Sequence, residues 1–439
     1  MSIAVKSRKE ELLQKIKSCT AFVGVIGLGY VGLPTAFYKV EEGYMVTGFD
    51  VSEEKVTSIN DGVSYINDIK TADLTKLVAK NKLRASTNFR LLKDMDVIVV
   101  CVPTPINEYK EPNLNYVREV SHTIAENIAP STLVILESTT YPATTEEILI
   151  PALESKGFKV GKDVFVSYSP ERIDPANKKF NLHNTAKVVG GYTEHCMDLA
   201  VEFIGEMAHP VSSLKVAEMS KVYENTFRYI NMAFVNEMTV LCNKLGIDIW
   251  EVIEASGTKP YGFMKFTPWI GVGGHCIPVD PYYLTYKAKE YGQRTKMIEL
   301  AGEINDHMID FTYYRILEVL NDKEILLKKA NVVLLGASYK ENIADVRESP
   351  VLNLLSKLKV QVNNLAVMDP YVSEVHVNND ILKVSSYNKQ LIQKADVVIL
   401  TTAHELFPYE EIAENATTIL DTKNAFSNKN IIASHIIKL

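Results

Sequence analysis

The sequence lacks most of the features that mark secreted, membrane-spanning and nucleic-acid-binding proteins. Its five cysteines are scattered, with no CxxC pair and no His-rich cluster, which argues against a disulfide framework or a zinc site and favours a reduced, cytoplasmic protein. No segment has the uninterrupted apolar length of a membrane span. The net charge of −7 offers no electrostatic footprint for nucleic acid. We therefore expect small-molecule ligands, without a metal, a nucleic acid or a membrane as partner.

What is present is the composition of a globular protein with several domains. The 439 residues are 46% hydrophobic and 23% charged, and a chain of this length holds two or three domains with separate cores. The first residues are charged and amphipathic, which predicts a leading helix rather than a secretory signal.

A glycine-rich motif near the start predicts a dinucleotide-binding unit. The run AFVGVIGLGYVGLPTAFYKVEEGYMVTGFD places Gly27, Gly29 and Gly32 in GxGxxG spacing after a predicted strand, and a second strand ends on Asp50. Glycines at this spacing allow a tight turn and the close approach of a pyrophosphate, whose charge the following helix N-terminus favours. Asp50 suits a ribose 2′-hydroxyl and repels a 2′-phosphate, so the motif predicts NAD as the cofactor.

The rest of the chain predicts two α/β units around a long helix. DMDVIVVCVPTP and STLVILESTTYP are typical of buried parallel strands that end in polar loops at a ligand crevice. NVVLLGASY, NLAVMDP, ADVVILTTAH and TTILDTKN repeat four strands of the first unit in order, with Gly336 alone in place of the glycine motif. Residues 212–246 predict a long helix with an apolar stripe broad enough to pack against a second subunit.

The predicted fold class is therefore α/β, with two Rossmann-like doubly wound domains joined by a long central helix. The predicted domains are residues 1–211 for the cofactor, 212–328 for dimerisation and catalysis, and 329–439 for a second nucleotide. A homodimer or higher homo-oligomer is the expected assembly.

The segment GVGGHCIPVDPYYL sets Cys276 beside His275, after Gly271, Gly273 and Gly274. A metal site at this point would need further ligands, which no Cys/His pairing supplies. A buried filler is the commoner role of a cysteine, but it does not explain the crowded glycines, which favour the close approach of a ligand. A redox thiol and a nucleophile are the other two interpretations, and both stay open on the residues alone. His275 likewise stays open between a role beside the thiol and loop packing.

Several polar residues have an ordinary structural interpretation when they are taken alone. Lys221 and Asn225 lie on one face of the predicted helix, where a solvated polar edge is the usual arrangement. Asp280 suits a turn former, and Glu171 suits a helix cap.

Eight stretches resemble the UDP-glucose/GDP-mannose dehydrogenase family over nearly the whole chain. They are GVIGLGYVGLP, FDVSEEKV, CVPTP, ESTTYP, YSPERIDP, AEMSKVYENTFRYINMAFVNEM, GGHCIPVDP and SYKENIADVRESP, in the family's order and spacing. ESTTYP, YSPER, TKPYGF and GGHCIPVDPYYL are most similar to the branch that oxidises UDP-N-acetylhexosamines. The resemblance implies an NAD-dependent enzyme that oxidises the sugar C6 hydroxyl twice, to a uronic acid. UDP-N-acetylglucosamine is the expected substrate, and the alternatives are UDP-glucose and the N-acetylgalactosamine and N-acetylmannosamine epimers.

The resemblance also implies catalytic roles. Cys276 adds to the intermediate aldehyde, and the thiohemiacetal so formed is oxidised to a thioester that water hydrolyses. Lys221 and Asn225 bind the developing oxyanion, and Lys221 also acts as an acid or base.

Supporting roles are implied in the same way. Asp280 orients the lysine or a water, Glu171 supports the hydrolysis, and Thr140 holds the catalytic water. The implied cofactor contacts are Gly27, Leu28, Gly29, Tyr30, Val31, Gly32, Asp50, Lys55, Val102, Pro103, Thr104, Ser138, Thr139 and Arg347. The implied substrate contacts are Arg172, Lys221, Asn225, Lys259, Phe263, Lys265, Gly273, Tyr339 and Lys340.

Some of these positions have alternatives or depart from the family. Lys340 and Arg347 would suit surface ion pairs as well. Lys259 and Lys423 stand where the family carries arginine, which leaves the sugar identity open.

Two other functions fit part of the pattern. A single-step alcohol dehydrogenase shares the first unit and the helix, but has no use for Cys276 or a second nucleotide-binding half. A nucleotide sensor without chemistry is opposed by the intact set of Cys276, Lys221, Asn225 and Asp280.

Overall fold

The computed structural model describes residues 7–66, 69–172, 179–180 and 184–439. The last three residues of the YSPERIDP stretch lie outside the described residues. The chain divides into two compact units, the first formed by residues up to Glu224 together with Tyr282–Gly292, and the second by Asn225–Pro281 and Gln293–Leu439. No helix within the described ranges is long and apolar enough to cross a membrane.

The first unit is an α/β unit with one eight-stranded sheet. Its strands are β1 (Phe22–Ile26), β2 (Met45–Phe49), β3 (Leu83–Ser86), β4 (Val97–Val100), β5 (Leu133–Leu136), β6 (Phe165–Tyr168), β7 (Lys187–Gly191) and β8 (Ala208–Val211). Its helices are α1 (Arg8–Lys17), α2 (Gly32–Glu41), α3 (Glu53–Asn60), α4 (Thr71–Ala79), α5 (Asn115–Asn127), α6 (Ile150–Ser155) and α7 (Glu194–Ile204).

The strand order of this sheet is β3-β2-β1-β4-β5-β6-β7-β8, and all neighbours are parallel except β6 and β7. The central strands VIVV and LVIL are buried at every position, as expected where helices cover both faces of a parallel sheet. Helix α1 begins with a capping box between Ser7 and Glu10. Its Leu12 and Ile16 join the core formed by β1, α2 and α7.

The second unit carries a seven-stranded sheet. Its strands are β9 (Asn331–Leu335), β10 (Asn364–Met368), β11 (Glu374–Val377), β12 (Asp380–Ser385), β13 (Val397–Leu400), β14 (Ile419–Asp421) and β15 (Ile436–Lys438). The helices from the middle of the chain onwards are α8 (Leu214–Leu245), α9 (Ile249–Ser256), α10 (Asp280–Glu290), α11 (Lys296–Asn321), α12 (Pro350–Lys359), α13 (Lys389–Lys394), α14 (Tyr409–Asn415) and α15 (Ala425–Asn428).

The strand order of the second sheet is β11-β12-β10-β9-β13-β14-β15. Only the β11–β12 pair is antiparallel, and the other six strands have the order of a Rossmann sheet. Along β9, Val332 and Leu334 face the core with α11 and α12, whereas Val333 and Leu335 face the core with α13 and α14. Both units are therefore doubly wound, which confirms the predicted fold class.

The two sheets share a detail at the end of their second strand. Asp50 Oδ2 accepts a hydrogen bond from Leu28 N at 2.9 Å, and Asp369 Oδ2 accepts one from Ala337 N at 2.8 Å. In the second unit the buried His404 Nε2 lies 3.0 Å from the same Asp369 oxygen. The aspartate of the second unit is therefore engaged by protein groups, which agrees with the loss of its glycine motif.

Candidate active site

The turn after β1 can be built only with glycine at two of its three motif positions. Gly27 has a φ of +88°, and a Cβ there would lie 2.5 Å from the carbonyl oxygen of Cys101. A Cβ at Gly32 would lie 1.9 Å from the carbonyl oxygen of Gly27. At Gly29, by contrast, a Cβ would meet nothing within 4 Å. Gly29 is therefore not needed for packing, and it leaves free space at the N-terminal end of α2, where a pyrophosphate would approach the backbone.

Asp50 is held rigidly beside this turn. Its carboxylate accepts hydrogen bonds from the backbone N–H groups of Leu28 at 2.9 Å and Ser52 at 3.0 Å, and from Lys55 Nζ at 3.1 Å. Each carboxylate oxygen has two acceptor positions, so Oδ1 retains capacity for a ribose hydroxyl. The structure thus brings Asp50, Lys55 and the glycine turn together, and these groups fit a dinucleotide.

Two polar loops follow the neighbouring strands β4 and β5. The Ser138 hydroxyl donates to the Val102 carbonyl at 2.8 Å, which ties the two loops to each other. The Tyr283 hydroxyl donates to the Thr104 carbonyl at 2.9 Å. Because the carboxyl ends of parallel strands meet at one edge of a sheet, these loops lie at the edge that carries the glycine turn. Pro103 and Thr139 belong to the same two loops.

Thr140 is fully buried just beyond β5. Its hydroxyl has no hydrogen-bond partner among the described residues, and the same is true of the buried Ser169 hydroxyl beyond β6. A buried hydroxyl without a partner costs free energy, and a bound water or ligand would satisfy it.

Glu218 is a buried carboxylate that sequence reasoning missed. It lies in α8 and accepts hydrogen bonds from Ala143 N at 2.5 Å, from Thr145 N at 2.8 Å and from the Thr145 hydroxyl at 2.7 Å. Burial raises its pKa to about 7, against the opposing effect of these bonds. These hydrogen bonds hold the loop that follows Thr140 in place. No local sequence pattern around Glu218 predicted this role.

Glu171 lies beyond β6 in a cluster of buried charges. Lys187 Nζ is 3.6 Å from Glu171 Oε2 and also forms an ion pair with Glu137. Burial and the Glu137 carboxylate raise the pKa of the nearby Cys101 thiol well above its usual value, so Cys101 is a poor nucleophile at neutral pH. Sequence reasoning missed Lys187 and Glu137 as partners of Glu171.

Arg172 is engaged by protein groups of its own unit. Its guanidinium forms an ion pair with Glu224 and donates to the Ala186 carbonyl at 2.7 Å. A phosphate or sugar contact at Arg172 would therefore share or displace these partners.

In the second unit, the glycine loop before Cys276 packs directly under Tyr339. A Cβ at Gly273 would lie 2.7 Å from Tyr339 Cβ, and one at Gly274 would lie 2.8 Å from the Tyr339 ring. Gly271 has a φ of +144°, and its Cβ would lie 3.0 Å from Pro350. Protein packing therefore requires glycine at these positions. The sequence pattern had instead suggested that a ligand approaches the backbone here.

Cys276 is partly exposed at the end of this loop, and its sulfur lies 3.6 Å from His275 Nε2. The Cys276 carbonyl accepts hydrogen bonds from Val279 N at 3.1 Å and Asp280 N at 2.8 Å. A tight turn therefore joins the cysteine to the start of α10. Among the described residues, no group of three or more His, Cys, Asp or Glu side chains is arranged to hold a metal ion.

Asn225 and Asp280 form a buried pair. Asn225 Nδ2 donates to Asp280 Oδ2 at 2.5 Å, and the two side chains belong to residues that are 5% and 2% exposed. The bond fixes the orientation of the amide, because only the NH₂ group can donate to a carboxylate. Lys221 lies one helical turn earlier in α8 and is partly buried. Asp280 is therefore more than a turn former.

The other predicted substrate contacts are spread over the second unit. Lys265 Nζ donates to Glu254 at 2.5 Å, and Lys259 lies 4.9 Å from the Tyr261 ring centroid. Phe263 is exposed, and Lys340 lies in the loop beyond β9.

Arg347, the one predicted cofactor contact outside the first unit, pairs with Asp345. Its guanidinium makes hydrogen bonds of 2.6–3.2 Å to both oxygens of that carboxylate, two residues away. Its side chain is 45% exposed, so the pair is a surface one.

Comparison with known proteins agrees with this geometry. Three family models match in succession: the NAD binding domain of the UDP-glucose/GDP-mannose dehydrogenase family over residues 21–207, its central domain over 215–307, and its UDP binding domain over 333–428.

Individual relatives match along nearly the full chain. UDP-N-acetyl-D-glucosamine 6-dehydrogenase of Pseudomonas aeruginosa is 36% identical over 392 residues, which are 88% of this chain and 91% of that protein. Protein CapL of Staphylococcus aureus is 35% identical over 418 residues, 94% of this chain and 96% of the relative. The solved structure of UDP-D-ManNAc dehydrogenase from Pyrococcus horikoshii has a TM-score of 0.85 at 31% identity and covers 95% of this chain and 98% of its own.

The cofactor of the chain is NAD, which the glycine turn and Asp50 fit and the first family model requires. From the glycine turn to the last strands, the chain belongs to the UDP-glucose/GDP-mannose dehydrogenase family, whose NAD-binding, central and UDP-binding domains it carries in that order.

Proposed function

We propose that the protein is an NAD-dependent UDP-N-acetylhexosamine 6-dehydrogenase that oxidises the C6 hydroxyl of UDP-N-acetylglucosamine to a carboxylate in two steps through Cys276. The observation that carries the proposal is the arrangement around this cysteine. The partly exposed Cys276 thiol lies at the end of a tightly packed glycine loop. The Cys276 carbonyl accepts a hydrogen bond from the Asp280 backbone N–H, and the Asp280 carboxylate accepts one from the Asn225 amide.

The choice of sugar is supported by relatives of the N-acetylhexosamine branch. The Pseudomonas aeruginosa relative is named for UDP-N-acetyl-D-glucosamine, whereas the Pyrococcus horikoshii structure is named for UDP-D-ManNAc. The two sugars differ in configuration at C2. UDP-N-acetylmannosamine is therefore the second candidate, and a direct comparison of the two substrates decides between them.

The chemistry explains why a nucleophile is needed. When bound, NAD accepts a hydride in each of two oxidations, so that one alcohol, two NAD⁺ and one water become a carboxylate, two NADH and three protons. The second oxidation needs a tetrahedral carbon that carries both an oxygen and the hydrogen to be transferred as hydride. The aldehyde formed first has a trigonal carbon, so a nucleophile must add to it before that oxidation. Addition of the Cys276 thiolate forms a carbon–sulfur bond and creates that centre.

The remaining residues act on the charge that develops at the sugar oxygen and on the hydrolytic water. Lys221 and Asn225 hold the oxyanion through N–H donors, and Asp280 keeps the amide NH₂ turned for this purpose. The second oxidation leaves a thioester. Water held by Thr140 attacks its carbonyl carbon, Glu171 takes a proton from that water, and the carbon–sulfur bond breaks to return the thiolate.

The test of the proposal is product analysis of Cys276 variants. Wild-type protein should form two NADH per uronic acid from UDP-N-acetylglucosamine, with no free aldehyde. Cys276→Ala should retain binding of NAD and UDP-sugar but form no uronic acid, and Cys276→Ser should be severely slowed, because a serine oxygen is the poorer nucleophile.

A matched control is Cys242→Ala, which removes another partly buried free thiol and should leave turnover unchanged. Uronic acid formed by Cys276→Ala at a rate near that of the wild type would show that the thiol only packs. A higher kcat/KM for UDP-glucose than for both N-acetylhexosamine substrates would refute the choice of branch but leave the reaction class intact.

We also propose a homodimer in which helix α8 contributes to the interface. In the second unit, Phe234, Leu241 and Leu245 are 57%, 46% and 61% exposed on this helix. Leu241 and Leu300 also line an open groove between α8 and α11. Apolar exposure of this kind is expected where a second subunit packs. Light scattering of the purified protein should give twice the 49.2 kDa mass of one chain.

A further inference from the structure

Three charged side chains are buried together behind the ends of β5 and β6. Lys187, the first residue of β7, forms an ion pair with Glu137, and its Nζ lies 3.6 Å from Glu171 Oε2. The side chains of Lys187, Glu137 and Glu171 are only 13%, 4% and 10% exposed. The Lys187 ammonium is therefore the shared cation of two carboxylates in a region with little access to water.

The surroundings of Lys187 account for its charge. Burial alone would lower its pKa, but the negative charges of Glu137 and Glu171 raise it above its usual value, so the ammonium stays protonated. Two other titratable groups influence the cluster. The Cys101 sulfur lies 3.7 Å from Glu137 Oε2. Lys39 acts at longer range, and its ammonium donates to Glu42 and to the Phe203 carbonyl at 2.7 Å each.

Glu171 is held from two sides. Its Oε1 accepts a hydrogen bond from the backbone N–H of Arg172 at 2.6 Å, and its Oε2 is the oxygen next to Lys187. A carboxylate in a buried place is driven towards its neutral form. An adjacent cation opposes this tendency and favours the ionised form, which is the form able to accept a proton.

Stability alone gives little reason for such a cluster. Buried ion pairs are often replaceable by apolar side chains of similar volume without loss of stability, because the cost of desolvating the charges offsets their attraction. Glu137 and Glu171 share the ammonium of Lys187, so the position of the lysine depends on both carboxylates.

We propose that Lys187 is a positioning residue which, anchored by Glu137, keeps the Glu171 carboxylate ionised and correctly oriented to accept a proton from the hydrolytic water. This inference rests on the role proposed above for Glu171. Lys187 itself does not contact the reacting atoms in this scheme and acts only through the carboxylate.

The test is the pH dependence of kcat in Lys187→Met, Lys187→Arg and Glu137→Gln, measured by NADH formation between about pH 5 and pH 9. Lys187→Met should move the acidic limb of the profile to higher pH by about one unit or more, since an opposite charge at this range lowers a carboxyl pKa by about one to three units. Below the limb, kcat should fall about tenfold for each unit. Lys187→Arg should restore most of the profile, because it restores the cation.

Glu137→Gln should move the same limb in the opposite direction. It removes a carboxylate that competes with Glu171 for the Lys187 ammonium. Opposite shifts from the two sides of one ion pair are an electrostatic signature that a loss of packing would not produce. If Lys187→Met does not fold, this variant alone decides: a shift to higher pH, or no shift, overturns the proposal.

Lys287→Met is the matched structural control. Lys287 is similarly buried and pairs with Glu147 at 2.6 Å and Glu290 at 2.7 Å, but it has no ion pair with Glu171. Its loss should lower the melting temperature without moving the acidic limb. An acidic limb that stays in place in folded Lys187→Met, or a kcat that falls equally at every pH, would contradict the positioning role.

Glu171→Gln separates this inference from the proposed function. If Glu171→Gln is crippled while Lys187→Met keeps the wild-type profile, only the positioning role is wrong. If Glu171→Gln turns over normally, the role assigned to Glu171 is wrong, and the inference about Lys187 is wrong with it.

Discussion

Replacement of Gly29 by alanine separates cofactor binding from folding at the glycine turn. A Cβ at this position meets no protein atom within 4 Å, and the φ of Gly29 lies outside the left-handed region. The alanine variant should therefore fold normally, and it should gain about 0.4–1 kcal/mol of stability because the unfolded chain has less conformational freedom. The new methyl group would instead occupy the space through which we expect a pyrophosphate to approach the backbone.

The size of the effect follows from the hydrogen bonds that a displaced phosphate would lose. A hydrogen bond to a charged group contributes about 1.5–3 kcal/mol, so the loss of one such bond should raise the KM for NAD by about ten- to a hundredfold. Binding of NADH, followed by its fluorescence, should weaken by a similar factor, while the melting temperature stays level or rises.

Gly32→Ala is the matched counterpart. Its Cβ would lie 1.9 Å from the carbonyl oxygen of Gly27, so the start of α2 must move and the protein should melt at lower temperature. The overpacking should cost about 1–3 kcal/mol or more. A folded Gly29→Ala variant whose KM for NAD equals that of the wild type would refute the placement of the pyrophosphate at this turn.

Three further changes test individual charges. Asp50→Asn should reduce the preference for NAD over NADP from well above tenfold towards equality, because the carboxylate that repels a 2′-phosphate is lost; kcat/KM for both cofactors measures this. Glu218 has a pKa raised by burial from 4.5 to about 7, so the free energy of unfolding should fall by up to about 3 kcal/mol as pH rises from about 4.5 through 7, and urea titrations of Glu218→Gln should lack this dependence. Burial lowers the pKa of Lys423 to about 8. The Lys423 ammonium also lies 4.3 Å from the centroid of the Trp269 ring. Lys423→Met should therefore stabilise the protein at pH 7 by about 2 kcal/mol, after loss of this contact is deducted, and urea titrations should show the gain vanish between about pH 8 and pH 10.5.

Local patterns in the sequence were sufficient for the fold class and the cofactor. Strands such as VIVV and LVIL indicate a parallel sheet covered on both faces, since a strand buried on both faces is apolar at successive positions. The glycine motif also predicts its own geometry. A side chain at Gly32 would clash with the Gly27 carbonyl of the same turn, whereas one at Gly29 would meet open space. Both properties belong to a turn of a few residues. The repeated strand order of the second unit was visible for the same reason, as each strand is a local apolar run.

Contacts between distant residues decided the rest. Lys187 and Glu137 are 50 residues apart and join Glu171 only because β5, β6 and β7 are neighbours in the sheet. Glu218 meets Thr145 across 73 residues, and Asn225 meets Asp280 across 55. The sequence by itself determined which backbone turns and apolar strands could form, since those depend on near neighbours. Only the tertiary structure decided which buried charges share a site, because a charge is compensated by whichever residue the fold brings beside it.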